Sequence, residues 1–207
     1  MKPQDATEYY EQRWNGEARA NLWAMSRAAA ILKEISKLDI HHPTVLDLGC
    51  GTGWLTRILN QFGTASGVDL APGAARRFHP DLKFFGVDED AGKDYDIVVS
   101  QEVLEHANDQ TGYLKSAHNA LKPSGYLVLT TPNATVSLRN PELLVQPQEK
   151  HLTRQGLRAA LVPHFEIVEL YSFFFGYAGW RPYRVQMRFG HWLNAGLHLM
   201  AVARRRD

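Results

Sequence analysis

Two short stretches of this chain concentrate residues able to do chemistry. The first is Val45-Leu46-Asp47-Leu48-Gly49-Cys50-Gly51-Thr52-Gly53, in which three alternate glycines follow an acid. Lacking Cβ atoms, such glycines let a backbone bend sharply and approach a ligand closely. A dinucleotide-binding turn needs Gly-x-Gly-x-x-Gly. Here the third glycine comes one residue early, before Trp54, which argues against a pyrophosphate on the helix terminus. Asp47 would repel a phosphate, but it suits a positively charged ligand such as a sulfonium or an amino acid's ammonium. Asp69, closing the next apolar run, is placed to accept hydrogen bonds from ribose hydroxyls, and Asp88 from an adenine amino group. Cys50, the only cysteine, has no evident neighbouring base and reads as a small residue filling a crowded loop.

The second stretch is Ser100-Gln101-Glu102-Val103-Leu104-Glu105-His106. If Glu102 begins a helix, Glu105 and His106 lie three and four residues later on the same face. Two carboxylates and an imidazole would then converge. Such a set can hold a metal or do acid–base work, while acids in a first helical turn also complement the helix dipole.

The elements that must position these residues alternate between strand and helix. Residues from about Thr7 to Lys37 read as helix, broken near Asn15-Gly16. Strands are expected at Thr44–Leu48, Ser66–Leu70, Leu82–Phe85, Tyr95–Val99, Tyr126–Thr131, Phe165–Tyr171 and His198–Ala203. Helices are expected at Trp54–Phe62, Pro72–Phe78, Glu102–Ala107, Thr111–Leu121 and Thr153–Leu161, with a turn at Lys122-Pro123-Ser124-Gly125. This order implies an α/β fold: a single Rossmann-like, doubly wound, mostly parallel sheet with helices on both faces. Residues 1–207 make one domain, with 1–40 as an N-terminal helical cap. Ligands of such sheets bind beyond the carboxyl ends of the strands, where both reactive stretches fall.

Between about Thr44 and Asn133 these motifs resemble the class I S-adenosylmethionine-dependent methyltransferases. The resemblance implies a cofactor site at Asp47, Gly49, Cys50, Gly51, Gly53, Asp69, Leu70, Asp88 and Gln101. Glu-x-x-Glu-His also resembles the motif of quinone-biosynthesis O-methyltransferases and of enzymes methylating the 2′-hydroxyl that ends small RNAs. In those families the motif binds a divalent ion, which implies Glu102, Glu105, His106 and His151 as ligands of magnesium, manganese or zinc. A bound cation would lower the pKa of an acceptor hydroxyl and fix its direction. Without a metal, His106 or His151 is the expected general base, with Glu105 beside it. His41, His42, His79, His118, His164, His191 and His198 lack such a setting, and none is assigned a role.

The resulting expectation is methylation of a small-molecule hydroxyl, whether phenolic, quinol-like or saccharide. RNA 3′-terminal 2′-O-methylation and a non-catalytic, cofactor-binding regulatory module are the alternatives. A net charge of +1 over 207 residues gives no global attraction to nucleic acid. A lone cysteine forms no intrachain disulfide, and no window matches a signal peptide or membrane span, so a cytoplasmic protein is expected. Residues 172–196, read as an insertion between the last two strands, carry many aromatics with Arg181, Arg184 and Arg188. They fit a lid over the acceptor, a homodimer interface or a peripheral membrane contact. Tyr9, Tyr10 and Trp14 are placed either to cover the cofactor or to staple the first helix to the sheet.

Overall fold

In the computed structural model the described residues are 3–14, 21–139, 149–173 and 194–207. Their strands form one sheet in the order β3-β2-β1-β4-β5-β7-β6. These are β1 (Thr44–Leu48), β2 (Thr64–Asp69), β3 (Lys83–Gly86), β4 (Tyr95–Gln101), β5 (Leu121–Pro132), β6 (Phe165–Phe173) and β7 (His198–Arg205). The first five run parallel, and β7 lies antiparallel between β5 and β6. The expected α/β sheet is therefore present, and the strand order reverses between β1 and β4. That reversal opens the crevice in which such sheets bind ligands.

Alternating side chains of the central strands feed two apolar layers. Leu46, Val98, Leu127 and Leu129 face one side, packing with Leu114, Leu157, Leu161 and Phe165. Val45, Ile97, Val99 and Val128 face the other, packing with Ala28, Ile31, Leu55 and Leu59. The first layer is covered by α5 (Gln110–Ala120) and α7 (Arg154–Leu161), the second by α2 (Leu22–Ile35) and α3 (Trp54–Leu59). Strands buried on both faces need continuous apolar runs, which is why β1, β4 and β5 read so clearly. Side-chain caps set three helix starts: Asn21 accepts from Ala24 N at 2.8 Å, Asp109 from Gly112 N at 2.9 Å and Thr153 from Gly156 N at 3.0 Å.

Several boundaries differ from expectation. The N-terminal helical region starts earlier, at Pro3, and is two helices, α1 (Pro3–Arg13) and α2, on either side of the break expected near Asn15-Gly16, with Ala28 and Ile31 of α2 in the core. The turn expected at Lys122–Gly125 lies within β5, where the register with β4 slips between Tyr95 and Ile97 and Ser124 takes φ +63°. Helix α4 (Gly73–Phe78) matches its expected place closely, and a short helix α6 (Ala134–Ser137) was not anticipated. Ser172 and Phe173 belong to β6, whereas 174–193, most of the expected aromatic insertion, lies outside the described residues. Among the described residues no helix is long and apolar enough to cross a membrane.

Candidate functional site

Beyond the carboxyl ends of β1, β2 and β4 lies a cleft of about 970 Å³. Its floor is the glycine loop. Gly49 N and Cys50 N both donate to Val68 O, at 2.7 and 3.0 Å, which folds the loop back onto β2. Gly49 takes φ +85°, and a Cβ there would lie 2.4 Å from Val103 Cγ2. Gly53 takes φ +78° at the head of α3, where a Cβ would meet the Phe84 ring at 2.6 Å. Both positions thus exclude a side chain by conformation and by space.

The two acids expected beside this loop are there. Asp69 lines the cleft and braces the loop, with Oδ2 accepting from Gly51 N at 2.8 Å and Oδ1 from Ala71 N at 2.9 Å. Asp47 is buried and accepts from Thr56 Oγ1 at 2.6 Å. Burial pushes the Asp47 carboxyl up to about 7, with the charge of Asp69 adding to the effect. A carboxylate strained in this way favours a cationic ligand, which would replace its lost hydration. Leu70 and Val87 supply an exposed apolar flank, whereas Asp88 is exposed and outside the lining. Gln101 lines the cleft and donates from Nε2 to Ala24 O at 3.0 Å, tying β4 to α2. Cys50 is buried, and burial raises its thiol well above the usual range, as suits a packing residue rather than a nucleophile.

Helix α1 closes over this floor. Trp14 lies against Gly51, its Cζ2 being 3.4 Å from where a Cβ would stand. Tyr10 stacks on Trp14 with centroids 6.2 Å apart, and Arg13 sits 5.4 Å over the Trp14 ring. Tyr9, Tyr10 and Trp14 all line the cleft. Beneath the loop, Tyr113 Oη donates to Leu48 O at 3.2 Å and lies 2.7 Å from Ser100 Oγ. Burial holds that phenol well above its ordinary pKa.

The acidic stretch after β4 is built differently from the expected helix. Glu102 has φ +55°, and its N–H still donates to Thr130 O of β5 at 3.0 Å. Only Leu104–His106 form a helical turn, of the tight 3₁₀ kind, so Glu102 does not share a face with Glu105 and His106. Its carboxylate reaches the start of β7 instead, with Oε2 2.8 Å from His198 Nδ1. Burial alone would raise the Glu102 pKa, but His198 outweighs it, with Arg27 assisting, and holds the group well below the usual carboxylate range. Glu105 turns inward and accepts from Thr131 Oγ1 at 2.9 Å. Burial and then the Glu102 charge push its carboxyl well above the ordinary value. His106 is half-buried on the cleft wall with Nε2 3.9 Å from Glu105 Oε1, and burial lowers its pKa.

The expected metal ligands gather around one part of the cleft, His106 feeling the charges of Glu102 and His151, but their side chains are turned to other partners. His151 is buried outside the cleft lining, with Nδ1 2.6 Å from Ser137 Oγ and Nε2 2.7 Å from Glu149 Oε2, so both ring nitrogens are engaged. Glu102 is engaged by His198. Among the described residues no group of three or more His, Cys, Asp or Glu is arranged to hold a metal ion. In this arrangement the expected Glu102, Glu105, His106 and His151 centre is not formed. Two residues that the sequence reading passed over, His198 and Tyr113, line the cleft. For His198 the available signal was the last strand: run antiparallel, it starts at the edge where the parallel strands end.

Comparison with known proteins gives a consistent picture. Residues 19–192 match a family model described as "Methyltransferase domain". A ubiquinone biosynthesis O-methyltransferase of Ruegeria pomeroyi is 33% identical over 110 residues, covering 47% of this chain and 42% of that protein. One of Pseudomonas paraeruginosa is 34% identical over 112 residues, covering 48% and 46%. The match thus spans under half the length of these curated relatives. Among solved structures, an S-adenosylmethionine-dependent methyltransferase from Mesorhizobium loti superposes with TM-score 0.68 at 22% identity, over 89% of this chain and all of that one. An N-methyltransferase of Bradyrhizobium japonicum, solved with S-adenosyl-L-homocysteine, gives 0.68 at 16% identity, over 97% and 98%. These two likenesses establish the fold.

Proposed function

The chain belongs to the S-adenosylmethionine-dependent methyltransferase family, and on that premise we propose that it methylates a hydroxyl of a small molecule, phenolic, quinol-like or saccharide. One observation carries the reading: a single cleft joins the Asp47–Gly53 loop to a wall bearing Glu102, Glu105, His106 and His198. The O-methyltransferase names of the curated relatives support a hydroxyl acceptor.

The cofactor fits the residues present. When bound, S-adenosylmethionine supplies a methyl group already activated on a sulfonium. Asp47 would meet its positive charge, Asp69 its ribose hydroxyls, and Leu70 with Val87 its adenine ring. The glycine loop admits the ligand to the backbone, and Tyr10 with Trp14 exclude water from above. The protein's remaining task is to align the acceptor oxygen with the methyl group and to remove its proton. An imidazole on the wall is suited to the second part. Carboxylates along the cleft disfavour the phosphates of an RNA end, so a small acceptor is the better reading.

The test is methyl transfer from S-adenosylmethionine to panels of phenols, sugars and RNA ends, read as methylated product. Product in the phenol or sugar panel is expected. Product confined to RNA would move the assignment to 2′-O-methylation, and cofactor binding with no product anywhere would favour the regulatory module.

A further inference from the structure

Arg13 stands apart from the arginines that answer a carboxylate. Arg57 pairs with Asp81 and Arg76 with Glu89, and the charge of Arg27 acts on Glu102. Arg13 has no carboxylate partner among the described residues. Its Nη1 donates to Tyr9 Oη at 2.9 Å, and its guanidinium sits 6.0 Å over the Tyr9 ring and 5.4 Å over the Trp14 ring. Aromatic rings thus hold the fork in place while its other N–H groups have no partner, and Arg13 lines the cleft from an exposed position on α1. Tyr10 continues the line. It stacks on Trp14 with centroids 6.2 Å apart and meets the His106 ring edge-on at 6.5 Å, so the run of rings that carries Arg13 ends on the cleft wall. The charge of Arg13 is felt at both Tyr10 and His106, whereas the shifts of Asp47 and Asp69 on the floor arise from burial and from other groups.

We propose that Arg13 recognises a carboxylate on the acceptor, so that the small molecule methylated here is a phenolic acid. The proposal rests on the hydroxyl-methylation reading and narrows it. A guanidinium presents a planar pair of donors that matches the two oxygens of a carboxylate, and stacking on aromatic rings fixes its plane before the ligand arrives. The cleft is otherwise acidic, lined by Asp47, Asp69, Glu102, Glu105 and Glu149, so an anion is tolerated only where a cation faces it. Arg13 provides one such place at the mouth. One carboxylate needs no more, whereas the phosphates of an RNA end would need several. An aromatic acceptor lying along Tyr10 then turns its hydroxyl towards the wall and its carboxylate towards Arg13. Ring-to-ring contact with Tyr10 favours a flat acceptor over a sugar.

The experiment compares catechols that differ at one ring position: 3,4-dihydroxybenzoate, its neutral amide and the cationic 3,4-dihydroxybenzylamine. Methyl transfer is followed for wild type, Arg13→Gln and Arg13→Glu, with S-adenosyl-L-homocysteine binding by calorimetry as the check on the cofactor site. Wild type should prefer the benzoate over the amide in kcat/KM by roughly 10-fold, the lower end for a charge-assisted hydrogen bond because Arg13 is exposed. Added salt should shrink that preference. Arg13→Gln should lower the benzoate-to-amide ratio to near parity, chiefly through KM, and Arg13→Glu should turn the preference towards the benzylamine. Comparing ratios between proteins cancels the intrinsic reactivity of each ring, and both variants should still bind S-adenosyl-L-homocysteine. A wild type that handles benzoate and amide alike, or a preference that survives Arg13→Gln, would overturn the proposal. So would variants that lose S-adenosyl-L-homocysteine affinity with the ratios unchanged, because Arg13 would then serve the cofactor's own carboxylate. Wild type inert towards all of these catechols fails one step earlier, at the hydroxyl reading, and takes the proposal with it.

Discussion

Replacing Asp47 with asparagine should stabilise the ligand-free protein above neutral pH and at the same time weaken its hold on the cofactor. Burial raises this carboxyl from an ordinary 3.8 to about 7, which at ~1.4 kcal/mol per pH unit amounts to ~4 kcal/mol. Below about pH 4 the group is protonated in the folded and unfolded chain alike and costs nothing. As pH rises, the unfolded chain releases the proton while the folded chain retains it, so stability falls. Above about pH 7 the folded carboxyl ionises too, and the full cost of ~4 kcal/mol remains. Asparagine keeps an oxygen for Thr56 and has no charge to bury. Urea unfolding should therefore show Asp47→Asn more stable than wild type, the gap widening by ~2–3 kcal/mol between about pH 5 and about pH 8. Calorimetry at about pH 6, in two buffers of different ionisation enthalpy, should show wild type releasing a proton on binding S-adenosylmethionine and the variant releasing none. Parallel pH profiles for the two proteins, or unchanged cofactor affinity in the variant, would refute the reasoning.

Three further outcomes follow from the geometry. Gly49→Ala places a side chain at φ +85° and 2.4 Å from Val103 Cγ2, so denaturant titration should show a loss of ~2–5 kcal/mol from backbone strain and overpacking; adding Val103→Ala should restore the steric share alone. Tyr113→Phe removes the hydroxyl shared by Leu48 O and Ser100 Oγ, and unfolding measurements should register ~1–3 kcal/mol for the buried groups left behind. Phe165→Ala empties a fully buried site far from the cleft, and should cost ~3–5 kcal/mol while leaving cofactor affinity in the surviving folded protein unchanged.

Much of this architecture was legible because local and global requirements agree. The apolar run Thr44–Leu48, bounded by Pro43 and Gly49, has no sensible alternative to a buried strand, and its observed limits are those expected. Asp47 and Asp69 could be placed because strand ends are marked by glycine and by polarity. The wall of the cleft was not legible in the same way. Helical spacing put Glu102, Glu105 and His106 on one face, but the ladder bond from Glu102 N to Thr130 O carries the strand's pairing one residue further and delays the turn. His151 looked available because Ser137 lies on α6, a short helix that no periodicity announces. His198 looked idle because its partner, Glu102, is remote in sequence and meets it only through the strand order.

The placing of β7 also governs how the chain can fold as it is made. A ribosome delivers β5 and β6 before β7, yet those two strands are separated in the sheet by the width of one strand. Neither has its final neighbour on that side until His198–Arg205 has emerged, so part of the sheet stands open, its edges unpaired, during synthesis. Pairing over such sequence distances is slow, and unpaired edges invite the wrong partner. Because β7 pairs with both β5 and β6, the sheet is complete only once it has docked, and the same strand carries His198 to the cleft. Completion of the sheet and of the cleft wall thus depend on the same strand, and a nascent chain halted before β7 would have its glycine loop without a finished wall opposite.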